Sequence, residues 1–296
     1  MRQRLILLIL LTLLNGCSSL TFLAANTPAA FGKYSRLANQ GYADQPRNKL
    51  DVYIPSAPHA KVPIIIFVHG GGWYEGDKAN YKFVGALFAE QGYVAVLPNY
   101  GLYPQVKSPV FVQDIAKSIA WVRMHASEWG GDINQIYLMG HSAGAQIVMM
   151  ATLDNEYLQA VGGNSHWLSG VIGLAGPYDF IPFTYPYMND LFGPPEHFPA
   201  SQPINYVRAD APPLLLIHGL QDHTVAPTNT RSLYEAISKA GGKVQVEYFE
   251  KATHSDLIAA FSFVRGRKPP VMAEIKKFIE QNEPMRSVAI TGAMNE

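Results

Sequence analysis

Short apolar runs alternate with longer segments of helical periodicity through most of this chain. Such alternation indicates βαβ units, because parallel strands must be joined by crossover helices that cover the faces of the sheet. The predicted strands are residues 50–54, 64–68, 93–97, 136–139, 171–174, 214–217 and 244–249, and the predicted helices are residues 81–90, 109–129, 143–153, 228–240 and 271–281. The 296 residues, 48% of them hydrophobic, suffice for one large core. We therefore expect an α/β domain with a mostly parallel central sheet and helices on both faces.

Residues 140–144 read Gly-His-Ser-Ala-Gly and lie between a predicted strand and a predicted helix. This is the Gly-x-Ser-x-Gly pattern of the nucleophile elbow in α/β-hydrolases, where a sharp strand-to-helix turn exposes the serine. The two glycines suit such a turn because a Cβ would clash with the neighbouring backbone. The bare motif is weak evidence, but its position between strand and helix favours Ser142 as a nucleophile.

A serine hydroxyl becomes reactive only when a base accepts its proton and a carboxylate orients that base. Asp222 follows the predicted strand 214–217, and His254 follows the predicted strand 244–249. The order Ser142, Asp222, His254 is that of the α/β-hydrolases and differs from the orders of trypsin-like and subtilisin-like enzymes. We predict these three residues as the catalytic triad, with Asp179 as a competitor for the acid because it also follows a strand. His69 and His218 are expected to hold loops in place by hydrogen bonds.

Two further segments suggest how such a site is completed. The sequence His-Gly-Gly-Gly-Trp at residues 69–73 follows a predicted strand, and its glycines would let backbone N–H groups approach the oxygen on which negative charge develops. Residues 176–213 contain nine prolines and eight aromatic residues, too many prolines for a central strand or a long helix. We expect this segment to be an insertion of loops and short turns over the active site.

With these motifs in hand, the chain resembles the α/β-hydrolase carboxylesterases of the hormone-sensitive-lipase-like group over roughly residues 40–280. The segments YADQPRNKLDVYIP, GGDINQIYLMGHSAGAQI and AGGKVQVEYFEKATHSDL are most similar to isoprenylcysteine methylesterase-like enzymes, and kynurenine formamidases share a His-Gly-Gly-x-Trp segment. The resemblance implies an oxyanion hole made of the N–H groups of Gly71, Gly72 and Ala143. Our candidates for substrate binding are Trp73, Tyr100 and Tyr178.

The function expected from these features is hydrolysis of small or medium carboxylic esters through an acyl-enzyme, without a cofactor or a metal. The alternatives are amide hydrolysis by the same triad, as in arylformamidases, and a non-catalytic envelope-binding lipoprotein on a hydrolase fold. Lys plus Arg and Asp plus Glu are equal at 23 each, and no basic run is interleaved with aromatic residues. We therefore expect a small-molecule substrate and no nucleic-acid partner.

The N-terminus has the features of an export signal. Arg2 and Arg4 precede an apolar run over residues 5–14 that is too short to span a bilayer. Leu14-Asn15-Gly16-Cys17 resembles the lipobox of bacterial lipoproteins, in which the cysteine is lipidated; a plain signal peptide and an uncleaved anchor are the alternatives. The expected organisation is a lipoprotein signal peptide over residues 1–16, a tether over residues 17–40, an α/β-hydrolase domain over residues 41–283 and a frayed tail over residues 284–296. An exported protein, anchored in the bacterial outer membrane through Cys17 and facing the periplasm, follows from this interpretation.

Overall fold

The computed structural model of the protein describes residues 20–56, 61–262 and 269–283. Within these ranges the centre is an eight-stranded sheet in the order β1-β2-β4-β3-β5-β6-β7-β8. The strands are β1 (Tyr34–Gly41), β2 (Lys49–Pro55), β3 (Val62–Val68), β4 (Val94–Pro98), β5 (Gly131–His141), β6 (Gly170–Leu174), β7 (Leu214–Gly219) and β8 (Val244–Phe249). β2 pairs antiparallel with β1 and with β4, and all other neighbouring pairs are parallel. The predicted mostly parallel sheet is confirmed.

Helices cover both faces of the sheet. Besides the helical residues 20–26, the α-helices are α1 (Lys82–Glu90), α2 (Val110–His125), α3 (Ala143–Leu153), α4 (Asn155–Gln159), α5 (Tyr187–Leu191), α6 (Thr228–Lys239), α7 (His254–Ala259) and α8 (Val271–Gln281). Short 3₁₀ helices lie at Pro28–Phe31, Lys78–Tyr81, Ala126–Trp129, Ser165–Trp167, Pro195–Ser201 and Pro203–Tyr206. The five long helices predicted from the sequence are all present, whereas the short α4, α5 and α7 are additions.

The central strand β3 shows how the sheet divides the core. Ile64 and Ile66 point to the face covered by α2 and α3, while Ile65 and Phe67 point to the face covered by α1 and α8. All four side chains are buried, and each contributes about 1.5–3 kcal/mol by leaving water. A strand that is apolar on both faces reads as a continuous apolar run, as this one does.

The chain reverses its direction of winding across the sheet at β3, which lies between β4 and β5. Ligands of open α/β sheets bind outside the carboxyl ends of the strands at such a point. The predicted insertion, residues 176–213, follows β6 and contains α5 and two 3₁₀ helices. Many of its residues line the cavity at this edge, so the expected position over the site is confirmed.

Residues 20–40 do not form the tether expected from the sequence. Residues 20–26 are helical, Pro28–Phe31 is a 3₁₀ helix, and β1 extends the sheet at its edge. Ala25 and Ala29 are buried. β1 was not predicted because most of its side chains are exposed and its sequence shows no alternation of apolar residues. Backbone hydrogen bonds to β2 keep it in the sheet. The folded domain therefore begins well before residue 41.

The predicted signal peptide over residues 1–16, Cys17 and the predicted tail over residues 284–296 lie outside the described residues. In the part of the chain that is described, no helix combines the length and the apolar character needed to cross a bilayer.

Candidate active site

Ser142 lies in the turn that joins β5 to α3. Its backbone has φ 58° and ψ −125°, a conformation that side-chain-bearing residues rarely adopt, and its N–H donates to the carbonyl of Leu174 at 2.9 Å. A Cβ on Gly140 would lie 2.3 Å from the carbonyl oxygen of Gly144, and a Cβ on Gly144 would lie 2.3 Å from that of Val68. Both glycines of the motif are therefore required by close backbone packing, as the sequence predicts for a nucleophile elbow.

The glycine-rich loop after β3 runs beside this turn. Gly71 and Gly72 have φ values of 122° and 57°, and the carbonyl of Gly71 accepts the N–H groups of Tyr74 and Glu75. Among the described residues, the N–H groups of Gly71 and Gly72 donate to no protein acceptor. Ala143 is the first residue of α3, and the N–H of a first helical residue has no acceptor within its helix. These three N–H groups are available to a ligand.

Side chains from three parts of the chain hold the loop in place. The indole N–H of Trp73 donates to Oε1 of Gln146 on α3 at 3.0 Å, and the hydroxyl of Tyr187 on α5 donates to the carbonyl of Gly72 at 3.1 Å. The Tyr100 hydroxyl donates to the carbonyl of His69 at 3.0 Å, and the two rings stack with centroids 4.5 Å apart. His69 thus holds a loop, as predicted, and donates from Nδ1 to the carbonyl of the next residue at 2.7 Å.

An acid and a base meet at the ends of β7 and β8. Oδ2 of Asp222 lies 2.7 Å from Nδ1 of His254 and 3.2 Å from Nε2 of His218. The other oxygen, Oδ1, accepts the N–H groups of Thr224 and Val225 at 2.8 and 2.9 Å. Although burial raises the pKa of the Asp222 carboxyl, the hydrogen bonds from His218 and His254 outweigh it and hold that pKa well below its usual range. Asp222 is therefore a carboxylate at neutral pH. It fixes Nδ1 of His254 as a donor, which leaves Nε2 as the atom that can accept a proton.

His254 is the first residue of α7, and a capping box fixes the start of that helix. Thr253 is the N-cap residue, and the Asp256 carboxylate accepts its N–H at 2.8 Å and its hydroxyl at 2.6 Å. Nε2 of His141 lies 3.1 Å from the carbonyl of His254, with the ring centroids 4.7 Å apart. Burial lowers the pKa of His141 to about 3, so His141 adds no positive charge beside His254.

Ser142 and His254 face one cavity of about 750 Å³, a size typical of small-molecule sites. Glu75 and Asp179 are the acidic residues on its walls, and no lysine or arginine is among the described lining residues. Its aromatic lining residues are Phe22, Trp73, Tyr74, Tyr81, Phe180, Tyr185 and Tyr187. The surroundings suit a neutral ligand with apolar groups. Among the described residues, no group of three or more His, Cys, Asp or Glu side chains is placed to hold a metal ion.

Two of the predicted substrate-binding residues do not reach this cavity. Tyr100 and Tyr178 are fully buried, and neither is among the lining residues. Tyr100 supports His69 from behind, and the Tyr178 ring fills the space beside Gly173 and Gly176, where added Cβ atoms would lie 2.0 and 2.4 Å from it. The prediction for Tyr100 and Tyr178 was therefore wrong, whereas Trp73 does line the cavity.

The competing acid, Asp179, also lines the cavity, but no contact joins it to His254 in the described structure. Its N–H donates to Oδ1 of Asn229 at 2.9 Å. Gln146, which bridges Trp73 and the carbonyl of Ser201, was not predicted as a site residue. A buried amide in the otherwise apolar helix α3 was the signal that could have marked it.

Comparison with known proteins places this geometry in a family. Residues 50–237, more than half of the chain, match the BD-FAE family model. Isoprenylcysteine α-carbonyl methylesterase of Arabidopsis thaliana is 28% identical over 82% of this chain and 61% of its own length. Esterase LipC of Mycobacterium tuberculosis is 32% identical over 71% of this chain and 56% of its own. The chain thus spans less than two thirds of these curated relatives.

Among solved structures, Thermogutta terrifontis esterase 2 phosphorylated by paraoxon is similar, with a TM-score of 0.64 and 26% identity over 84% of this chain and 91% of that one. The family match covers the glycine-rich loop, the serine turn and Asp222, and the resemblance to carboxylesterases drawn from the motifs is confirmed. The chain belongs to the BD-FAE family of α/β-hydrolase esterases.

Proposed function

We propose that this protein is a serine carboxylesterase that hydrolyses small or medium neutral esters, with Ser142, Asp222 and His254 as the catalytic triad. The observation that carries the proposal is the convergence of these groups. Ser142 and His254 face one cavity, Asp222 fixes the tautomer of His254, and the N–H groups of Gly71 and Gly72 have no acceptor within the described protein. The family membership and the esterase relatives support the same assignment.

In the first half of the reaction the Ser142 hydroxyl attacks the ester carbonyl, and Nε2 of His254 accepts its proton. The carbonyl oxygen becomes an oxyanion, to which the N–H groups of Gly71, Gly72 and Ala143 donate. Removal of one such donor typically costs about 2.7–4 kcal/mol of transition-state stabilisation. The intermediate collapses as the bond to the alcohol breaks, and His254 returns its proton to the alcohol oxygen. An acyl-Ser142 remains.

In the second half a water molecule attacks the acyl carbonyl, with His254 again accepting a proton. Collapse of the second intermediate breaks the bond to Ser142, whose oxygen takes back the proton, and releases the carboxylic acid. The Asp222 carboxylate stabilises the imidazolium in both halves without itself being protonated. Each step uses side chains and backbone N–H groups of this chain, so the proposal involves no cofactor.

The experiment that tests this proposal compares p-nitrophenyl acetate, butyrate, octanoate and palmitate as substrates of the full chain. Ser142→Ala should lower kcat by a factor on the order of 10⁴ or more. Ser255→Ala is the matched control, because Ser255 also lines the cavity but does not sit in the serine turn. Equal rates for the parent and Ser142→Ala would contradict the proposal. N-Formylkynurenine, assayed beside the esters, tests the amide alternative: faster turnover of the amide would favour it.

We further propose that the protein is exported and anchored in the outer membrane by a lipid on Cys17. The short apolar run and the lipobox-like Leu14-Asn15-Gly16-Cys17 support this assignment. Cys17 precedes Phe22, a residue of the cavity wall, by five residues, and an extended chain of that length reaches at most about 18 Å. The anchor would thus hold the active site close to the bilayer. Palmitate labelling should be lost in Cys17→Ala, and labelling that persists would contradict the anchor.

A further inference from the structure

The N-terminal segment, residues 20–31, is part of the active-site cavity. Phe22 lines this cavity together with Ser142 and His254, although it lies far from both in sequence. Its side chain is half-buried, so part of the ring packs on the protein and part faces the cavity. This contribution comes from outside the matched family region, residues 50–237.

Specific contacts fix the position of this segment. The Asn26 amide nitrogen donates to the carbonyls of Ala79 and Asn80 at 3.1 Å each, and its oxygen accepts the N–H of Phe83 at 3.1 Å. One side chain thereby joins the segment to the 3₁₀ helix Lys78–Tyr81 and to the first turn of α1. Ala25, the neighbouring residue, is buried in the core. The segment is thus docked by three hydrogen bonds and an apolar contact.

At the cavity wall, the ring of Phe22 packs against that of Tyr81. Its ring meets that of Tyr81 edge to face, with centroids 5.3 Å apart, an arrangement that aromatic side chains prefer. Tyr81 also lines the cavity, and its ring stacks on that of His69 with centroids 5.8 Å apart. The ring of Phe22 therefore rests on a support that continues into the glycine-rich loop. Ile258 of α7, the helix that begins at His254, adds an aliphatic neighbour on the cavity wall.

We propose that Phe22 is a specificity-determining residue: the N-terminal segment supplies an apolar wall, formed by Phe22, Tyr81 and Ile258, that receives the medium-length aliphatic chain of the ester. The inference rests on the proposed esterase function. Burial of methylene groups against these largely apolar side chains is favourable. An octanoyl chain has methylene groups to bury against this wall, whereas an acetyl group has none. Phe22 thus acts on substrate binding, and the triad and the oxyanion hole act on bond breaking.

The test compares the full chain, purified in one fixed detergent, with Phe22→Ala, Phe22→Leu, Asn26→Ala and Phe31→Ala. Phe31 is the matched control, because it belongs to the same segment but is 84% exposed and does not line the cavity. We measure kcat and KM for p-nitrophenyl acetate, butyrate and octanoate. Circular dichroism and thermal unfolding show whether each variant is folded.

Phe22→Ala should lower the ratio of octanoate to acetate kcat/KM by on the order of tenfold, mainly through KM, as expected for lost methylene contacts in an apolar pocket. Phe22→Leu should restore most of the ratio, and Asn26→Ala should lower it by a smaller factor because the segment loses its hydrogen bonds. Phe31→Ala should match the parent. A folded Phe22→Ala protein whose ratio stays within twofold of an active parent overturns the inference alone, whereas a parent inactive on all three esters overturns the proposed function and the inference with it.

Discussion

Four hydrogen-bond donors converge on the buried carboxylate of Asp222, and Asp222→Asn tests that arrangement. The N–H groups of Thr224 and Val225 donate to Oδ1, and His254 Nδ1 and His218 Nε2 lie against Oδ2. An asparagine amide has one acceptor oxygen and one NH₂ group. In one orientation of the amide the N–H groups of Thr224 and Val225 face its NH₂ group. In the other orientation His254 Nδ1 and His218 Nε2 face it, although His218 Nε2 keeps the carbonyl of Val225 as an acceptor at 3.0 Å. One or two buried donors thus lose their partner at about 1–3 kcal/mol each, so the free energy of unfolding should fall by about 1–6 kcal/mol.

The same change should remove most of the activity. His254 can avoid the amide NH₂ only by turning Nδ1 into an acceptor, and its proton then resides on Nε2. That nitrogen can no longer accept a proton from Ser142, and an equivalent change of tautomer in a serine hydrolase lowers kcat by about 10⁴. Activity should therefore fall much further than the fraction of folded protein does.

The assay is kcat for p-nitrophenyl butyrate, with urea unfolding of the same samples. Asp179→Asn is the control, because Asp179 lines the same cavity without contacting His254; it should keep kcat within a few-fold of the parent. An Asp222→Asn variant within tenfold of the parent kcat would refute the assignment of Asp222 as the acid. An unchanged free energy of unfolding would refute the count of converging donors.

Three further changes follow from the packing. Gly144→Ala should abolish activity and lower Tm, because the new Cβ would lie 2.3 Å from the Val68 carbonyl oxygen; a fully active, equally stable variant would contradict the elbow geometry. Gln146→Met leaves a buried indole N–H and a carbonyl without partners, so the free energy of unfolding, measured by thermal unfolding, should fall by about 2–6 kcal/mol, and an unchanged value would contradict the bridge. Burial lowers the pKa of His69 to about 4 and that of His141 to about 3, whereas both titrate near pH 6.5 in the unfolded chain. The unfolded state therefore binds more protons, and the free energy of unfolding should fall by on the order of 2 kcal/mol as the pH drops from about 6 to 5. Urea unfolding at both pH values measures this difference, and equal free energies of unfolding would contradict the prediction.

The sequence could predict the triad because each member follows a strand that is easy to recognise. Ser142, Asp222 and His254 come after β5, β7 and β8. β5 and β7 contain apolar runs, and β8 alternates apolar with polar residues before it ends at Phe249. Since these strands are parallel and adjacent to one another or to β6, their carboxyl ends meet at one edge of the sheet. Topology therefore brings together residues that are 80 and 32 positions apart. The roles of the three residues remain predictions until they are tested by mutation.

What could not be predicted depends on packing between distant segments. Tyr100 and Tyr178 are aromatic residues near the expected site, and nothing in the sequence distinguishes a ring that supports a loop from one that lines a cavity. Phe22 shows the opposite case. It lies in a stretch predicted as a tether, and contacts between distant segments, among them the hydrogen bonds of Asn26 near α1, place it at the cavity. The edge strand β1 was missed because backbone pairing needs no apolar pattern.

In the proposed mechanism Ser142 is an activated nucleophile, and covalent trapping detects such a group. The full chain is incubated with paraoxon, the reagent that phosphorylated the structurally similar Thermogutta terrifontis esterase 2, and the modified peptide is located by tandem mass spectrometry. We expect one diethylphosphoryl group on Ser142, loss of esterase activity in proportion to labelling, and no labelling of Ser142→Ala. An unlabelled parent, or a group carried by another residue in both proteins, would contradict it.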